Sequence, residues 1–192
     1  MTDGRSKRKA KIVPFVDRLE RERNENLKSL VSKAKLMKLE GFESVVWDDP
    51  EWQVDSGRLV KLTGNNTKSA SFGFALSLKL GSAPLDGCWG LAAKALFVLR
   101  FHRKHQSASN QRNFITAIGY VSFAAKQLGQ ELVRLTPEAL DNASGLISKH
   151  YSESSAYNLH KHVAEFAAHC DANGLCRVLS LLLVHQRLVN IY

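Results

Sequence analysis

The residues of this chain best suited to chemistry are cations that gather without acids between Gly87 and Gln130. A solvated helix normally mixes charge signs to gain i,i+4 pairs, so an acid-free stretch of this length favours a surface for phosphates. The competing interpretation is the helix dipole, because cations are also favoured at the C-terminal end of a helix. The basic and histidine side chains of the stretch are Lys94, Arg100, His102, Arg103, Lys104, His105, Arg112 and Lys126.

A second candidate segment, residues 149–161, combines hydroxyls, an amide and cations. Such side chains, with the backbone amides of a helix start, commonly contact phosphate oxygens and position a protein on a duplex. The alternative is ordinary helix capping by Ser152 or Ser154, with Tyr157 packed in the core. The side chains that we single out here are Lys149, Ser154, Ser155, Tyr157, Asn158 and Lys161.

Residues 1–15 form a third basic cluster, which we call the basic arm. Glycine and Pro14 discourage regular structure there, so a mobile segment is expected. The 192-residue chain as a whole carries a formal net charge of +9, which is expected of proteins that bind a polyanion but also fits a domain that is merely basic. The cations of the arm are Arg5, Lys7, Arg8, Lys9 and Lys11, against the single acid Asp3.

Histidine and cysteine spacing does not favour a metal site. His102 and His105 lack a carboxylate or cysteine partner at usable spacing, and so does the pair formed by His160 and His162. The sequence also contains no phosphate-binding loop, dinucleotide-binding glycine motif, metalloprotease motif or nucleophile elbow. We therefore expect no metal, no cofactor and no catalytic residue in this chain.

Cysteine usage and hydropathy indicate the cellular compartment in which the protein resides. Cys88, Cys170 and Cys176 are odd in number and show no close pairing suited to a disulfide framework, so free thiols are expected. The N-terminus lacks the apolar core of a secretory signal, and no run of about 18 apolar residues occurs. These features predict a cytoplasmic protein without a membrane partner.

Hydrophobic periodicity predicts that the candidates lie on a helical bundle. We expect helices over residues 88–105, 109–128 and 137–149 and a fourth that runs up to Gly174, joined by short loops. In the first helix Leu91, Ala95, Val98 and Leu99 should form the core side. The expected boundary residues are Ser109, Thr136 with Pro137, Ser152 or Ser154, and the stops Gly41, Gly129 and Gly174.

The remaining chain divides into an N-terminal region and an apolar tail. Residues 17–38 predict a densely charged helix, and Trp47, Trp52 and Val54 indicate short extended pieces before a domain boundary. The predicted organisation is a basic arm (1–15), an N-terminal helix with a short-strand region (16–75), a helical bundle (76–175) and an apolar tail (176–192). With 44% hydrophobic residues, the chain can build a packed, mainly α core.

The chain resembles the N-terminal half of site-specific integrases of the tyrosine recombinase superfamily, over about residues 10–175. The resemblance implies a helical core-binding domain of the SAM-like kind, which forms one half of a clamp around DNA. The segments that carry it are Val13-Pro14-Phe15-Val16, the Trp47 region, Arg112-Asn113-Phe114, Leu135 through Asp141, Tyr151-Ser152, Ser155-Ala156-Tyr157-Asn158 and Asp171 through Leu175.

The family's catalytic residues have no counterpart in the sequence. Its catalytic domain carries an Arg, a Lys, a His-x-x-Arg pair and a tyrosine nucleophile, whereas this chain has no His-x-x-Arg and Tyr192 stands without the surrounding set. Strand cleavage by this chain alone is therefore not expected. A truncated or frameshifted integrase remnant and a free-standing regulator derived from an integrase remain open alternatives.

The functional expectation is a module that grips double-stranded DNA through phosphate contacts, with other recombinase subunits as further partners. The alternative is a helical protein-interaction or accessory module without DNA binding, in which the apolar tail from Leu175 docks a partner. A third hypothesis is a recombinase half that needs its catalytic half from another chain.

Overall fold

The computed structural model describes residues 15–55, 69–103 and 107–178. Five α-helices and one two-stranded sheet form there, so the predicted mainly α class is confirmed. In chain order they are α1 (Phe15–Leu36), β1 (Glu51–Asp55), β2 (Ser69–Gly73), α2 (Gly87–Arg103), α3 (Ala108–Gln127), α4 (Pro137–His150) and α5 (Glu153–Ala172). Single 3-10 turns, Leu78–Leu80 and Leu132–Arg134, precede α2 and α4.

Helix α2 lies at the centre of the fold. Every residue from Ala92 to Phe101 is buried, which is the environment of a helix that is apolar on all sides. The predicted one-sided stripe is therefore too narrow, and Leu91, which was assigned to the core side, is 39% exposed. Hydrophobic periodicity did not predict burial on all sides, because that burial depends on other segments that pack around the helix.

The two strands form an antiparallel hairpin whose inner face is aromatic. Trp52 pairs with Phe72 across the hairpin, and alternation along β1 buries Trp52 and Val54 while their neighbours are exposed. The rings of Phe72, Phe74 and Trp52 lie 4.8, 5.7 and 6.0 Å from the ring of Phe97 on α2. These edge-on contacts join the hairpin to the bundle, and α1, the hairpin and the bundle share one hydrophobic cluster.

Two of the predicted glycine stops are confirmed, whereas the third, Gly41, lies five residues beyond the end of α1 at Leu36. Gly129 and Gly174 follow α3 and α5 with φ of 66° and 64°, a left-handed conformation that glycine adopts without a Cβ penalty. The amides of the next residues, Gln130 and Leu175, turn back to carbonyls of the last helical turn, at 2.9 Å in both cases. Each helix therefore ends with its last carbonyls satisfied.

The predicted starts of α3 and α4 each need a correction. Ser107, not Ser109, caps α3, because its hydroxyl accepts a hydrogen bond from the Asn110 amide at 3.0 Å. Pro137 does open α4, but the hydroxyl of Thr136 makes no capping bond. It lies instead against the side-chain amide of Gln130, whose Nε2 donates to it at 3.0 Å.

Within the described ranges each helix is too short or too polar to cross a lipid bilayer. Residues 1–14 of the basic arm and residues 179–192 of the apolar tail lie outside these ranges. The first residues of the tail belong to the packed core, since Cys176 and Val178 are fully buried.

Gly90 offers a test of how tightly α2 packs at its start. A Cβ at this position would lie 2.4 Å from the Leu85 carbonyl oxygen, which is backbone and cannot move aside cheaply. We expect Gly90→Ala to lower the free energy of unfolding by about 1–3 kcal/mol, measured by urea denaturation. The matched control is Gly145→Ala in α4, where a Cβ would meet nothing within 4 Å. This substitution should stabilise the protein by up to about 1 kcal/mol, because alanine favours a helix more than glycine does. Equal effects of the two substitutions would contradict this packing.

Candidate nucleic-acid interface

Arg100, a predicted DNA contact, is a buried structural residue. Its side chain is 4% exposed, and its Nε and Nη2 donate to the Glu165 carboxylate at 2.8 and 3.0 Å. Nη1 donates to Gln111 Oε1 at 2.6 Å, and the guanidinium lies 4.0 Å over the Phe114 ring. The prediction is wrong for this residue, because its donors are already used inside the protein.

Glu165 on α5 is the acceptor on which this buried network converges. Besides Arg100, it faces His162 Nδ1 at 3.0 Å and His169 Nε2 at 3.8 Å. Burial raises the pKa of Glu165, but hydrogen bonds from His162, His169 and Arg100 outweigh that effect and hold the pKa well below the ordinary 4.5. The carboxylate therefore fastens α2 to α5 in its ionised form.

Lys94 and Lys126 are also engaged with the protein itself. The buried Lys94 donates to the Trp47 carbonyl at 2.7 Å, and burial lowers the pKa of Lys94. Lys126, a predicted DNA contact, lies on the surface with its Nζ 2.6 Å from a carboxylate oxygen of Asp86. Asp86 stands one position before the acid-free stretch, so a neighbour in the sequence offsets the charge of Lys126.

Besides Lys126, two further predicted contacts of the acid-free stretch lie on the described surface. Arg103 is exposed at the C-terminal end of α2. Arg112 is exposed on α3, and its Nε and Nη2 both donate to the Ser71 carbonyl of the hairpin, at 3.2 and 3.1 Å. Lys104 and the arm cations Arg5, Lys7, Arg8, Lys9 and Lys11 lie outside the described residues.

The second predicted cluster forms an exposed surface at the start of α5. We call it the α5 face. Tyr157 is 60% exposed, so the alternative in which it packs in the core is wrong. Ser152 stands at the N-cap position but makes no capping bond, and its hydroxyl donates to Ser155 Oγ at 3.2 Å. All six predicted side chains of this cluster are exposed: Lys149, Ser154, Ser155, Tyr157, Asn158 and Lys161.

A polar cleft of about 160 Å³ extends the α5 face onto α3. Asn113 and Thr116 of α3 line it beside Ser155 and Asn158 of α5, which places two amides and two hydroxyls around one space. The other lining residues are Tyr151 and Leu159. Because all four polar side chains can donate hydrogen bonds to an oxyanion, the cleft has the chemistry of a phosphate contact.

Lys79 adds a cation that the sequence analysis missed. It belongs to the 3-10 turn before α2, yet its Nζ lies 4.1 Å from the centre of the Tyr151 ring and donates to the His150 carbonyl. No pattern in the sequence links Lys79 to a segment 71 residues further along the chain. Asn113 and Thr116 were missed for the same reason, since only the packing of α3 on α5 brings them to the cleft.

The thiols of the described residues occur free, as predicted. Cys170 and Cys176 are fully buried, and burial raises the pKa of the Cys170 thiol well above its usual value. A protonated thiol in the core behaves as a small apolar side chain. Across the part of the chain that the structure describes, no group of three His, Cys, Asp or Glu residues could hold a metal ion.

Comparison of the chain with protein-family models, with curated proteins and with solved structures gives no match. The resemblance to tyrosine-recombinase-type integrases therefore depends on the sequence segments quoted above, and it enters the functional argument as a proposal.

Arg100 and Arg103 sit three residues apart on α2 and should differ sharply in their effect on stability. We expect Arg100→Met to lower the free energy of unfolding by about 3 kcal/mol, because it removes the partner that contacts both oxygens of the Glu165 carboxylate. The exposed control Arg103→Met should change it by no more than about 0.5 kcal/mol. Urea denaturation of both variants measures the contrast, and a small loss for Arg100→Met would show that the buried network is not stabilising.

The Glu165 network should also make stability depend on acid pH. Because the folded-state pKa of Glu165 lies below 4.5, its stabilisation is complete above that unfolded-state value and declines as the pH falls further. The difference in unfolding free energy between the wild type and Glu165→Gln should thus narrow as the pH falls from 4.5 toward about 3. Denaturation curves across this range measure it, and a gap that does not change with pH would refute the assignment.

Proposed function

We propose that this chain is a DNA-binding module that grips duplex DNA through phosphate contacts on the α5 face and the adjoining cleft. The observation that carries the proposal is the exposure of all six side chains of the α5 face, with Tyr157 at the surface instead of in the core. Lysines, hydroxyls and amides of this kind make most phosphate contacts in protein–DNA complexes.

The charge around the α5 face is suited to a polyanion. Lys149 and Lys161 lie on it, Lys79 borders the cleft through Tyr151, and Arg112 directly precedes the cleft residue Asn113. The same segment contains one acid, the exposed Glu153 in the first turn of α5. The exposed Arg103 and the cations of the basic arm would add phosphate contacts elsewhere on the duplex.

The resemblance to tyrosine-recombinase-type integrases agrees with this proposal. A core-binding domain of that family holds DNA without supplying the catalytic residues, which is the role that we propose for this chain. Two of the segments that carry the resemblance, Tyr151-Ser152 and Ser155-Ala156-Tyr157-Asn158, contribute to the α5 face and the cleft. We propose no strand cleavage by this chain alone and no cofactor.

A salt series separates DNA binding from the alternative of a protein-interaction module. We expect affinity for a random-sequence duplex to fall linearly on a log–log plot against salt, because phosphate contacts release counterions. The double substitution Lys149→Glu and Lys161→Glu should reduce the slope by about 2 and weaken binding similarly for all sequences. Fluorescence anisotropy with a labelled duplex measures both quantities.

The matched control is Lys33→Glu with Lys38→Glu, at exposed positions in and just beyond the end of α1. This control changes the net charge by the same amount. If the α5 face makes the phosphate contacts, the control should leave the slope of the salt plot near that of the wild type. Equal losses for the two double variants would mean that only net charge matters. A flat salt response of the wild type would remove the proposal and favour the protein-interaction module.

A further inference from the structure

A groove of about 400 Å³ adjoins the α5 face at the corner between α4 and α5. We call it the tyrosine groove. Three ring side chains, Tyr151, Tyr157 and His160, line it together with Ser148, Glu153 and Ala156. Its volume lies within the range of roughly 300–1,000 Å³ that is usual for small-ligand sites. Flat rings around an open space favour a flat ligand that can stack on them.

Two of these rings are held in place by neighbouring side chains. Tyr151 carries the Lys79 ammonium 4.1 Å from its ring centre and contacts the ring of Tyr120 edge-on at 5.9 Å. The Tyr120 hydroxyl is bonded in turn to His150 Nδ1 at 2.8 Å, and burial raises the pKa of Tyr120 to about 12. This wall of the groove is therefore formed before any ligand binds.

The second held ring is His160, whose Nε2 lies 3.2 Å from the Ser144 carbonyl and 3.4 Å from Ser148 Oγ. Tyr157 differs from both rings, because 60% of its surface is exposed and the Lys161 ammonium lies 4.3 Å from its ring centre. A single exposed tyrosine is ordinary on a protein surface. This one lies against a cation and lines a groove with two fixed rings, and such side chains are the ones on which bases stack.

Two cations lie against the tyrosines of the groove, and the lining contains one acid. Lys79 and Lys161 are placed against its tyrosines, Lys149 follows the lining residue Ser148, and Glu153 is the acidic lining residue. Such a site suits a flat ring attached to a phosphate, with the ring inside and the phosphate on the rim. Nucleic-acid strands are bound in this way where bases stack on aromatic side chains beside a basic surface.

We propose that the tyrosine groove binds an unpaired base of a DNA strand whose phosphates lie on the α5 face. The inference rests on the proposed function, since those phosphates are the ones that the α5 face is proposed to hold. Tyr151 lines both the polar cleft and the groove, so a phosphate in the first lies next to a base in the second. Bases within a duplex stay stacked on their neighbours, so the groove takes a base at a single-stranded end, a gap or a flipped position.

Three labelled DNAs test the proposal by fluorescence anisotropy at one salt concentration. They are a blunt duplex, the same duplex with a short single-stranded overhang, and that duplex with an abasic overhang that keeps the phosphates. Overhangs of both polarities are compared. We expect the base-bearing overhang of at least one polarity to bind on the order of tenfold more tightly than its abasic counterpart, which is the usual effect of one stacked base.

Substitutions at Tyr157 assign the effect to the groove. Tyr157→Ala should remove the difference between the base-bearing and abasic overhangs, whereas Tyr157→Phe, which loses the same hydroxyl but keeps the ring, should retain that difference. Phe15→Ala is the control, because Phe15 is a 70% exposed aromatic residue at the start of α1. Circular dichroism checks that each variant retains its helices.

The possible outcomes separate this inference from the proposed function. Equal affinity of the wild type for base-bearing and abasic overhangs, with blunt-duplex binding intact, overturns the tyrosine groove and leaves the proposed function standing. A difference that survives Tyr157→Ala likewise overturns the assignment. Absence of binding to all three DNAs at low salt overturns both.

Discussion

The burial of the central ten residues of α2 is the constraint on which the rest of the fold depends. Ten consecutive residues, Ala92 to Phe101, are covered, and two of them are cations. A buried cation is tolerated only when other groups satisfy its donors. The hairpin and the segment before it therefore cover Lys94 with aromatic rings and the Trp47 carbonyl, and α3 and α5 cover Arg100 with Gln111 and Glu165.

Because of this constraint, different parts of α5 have different roles. Glu165 points from α5 toward α2 and is used for packing, while the first turns of the same helix carry Tyr157, Asn158 and Lys161 at the surface. The buried network fixes α5 against α2, and α3 packs beside it so that Asn113 reaches the polar cleft. The proposed interface thus stands on a rigid support, which lets polar side chains hold a phosphate without ordering a loop first.

The distribution of charge along the sequence does not match its distribution over the surface of this protein. The acid-free stretch from Gly87 to Gln130 suggested a continuous basic surface, but an acid 65 residues away on another helix neutralises Arg100, and Asp86 offsets Lys126. Sequence patterns register only local neighbours, so a stretch without acids can still meet acids in the folded chain. The weaker of the two sequence signals, at residues 149–161, is the one whose side chains all reach the surface.

The sequence by itself determined the helices of the bundle, the hairpin region around Trp52, and the glycine ends of α3 and α5, because periodicity and left-handed glycines act within a few residues. It also picked out the side chains of the α5 face. Only the tertiary structure decided that Arg100 is internal, that Tyr157 is external, and that Lys79 lies beside Tyr151. The physical reason is that burial and pairing depend on which distant segments pack together, and this information is spread over the whole chain.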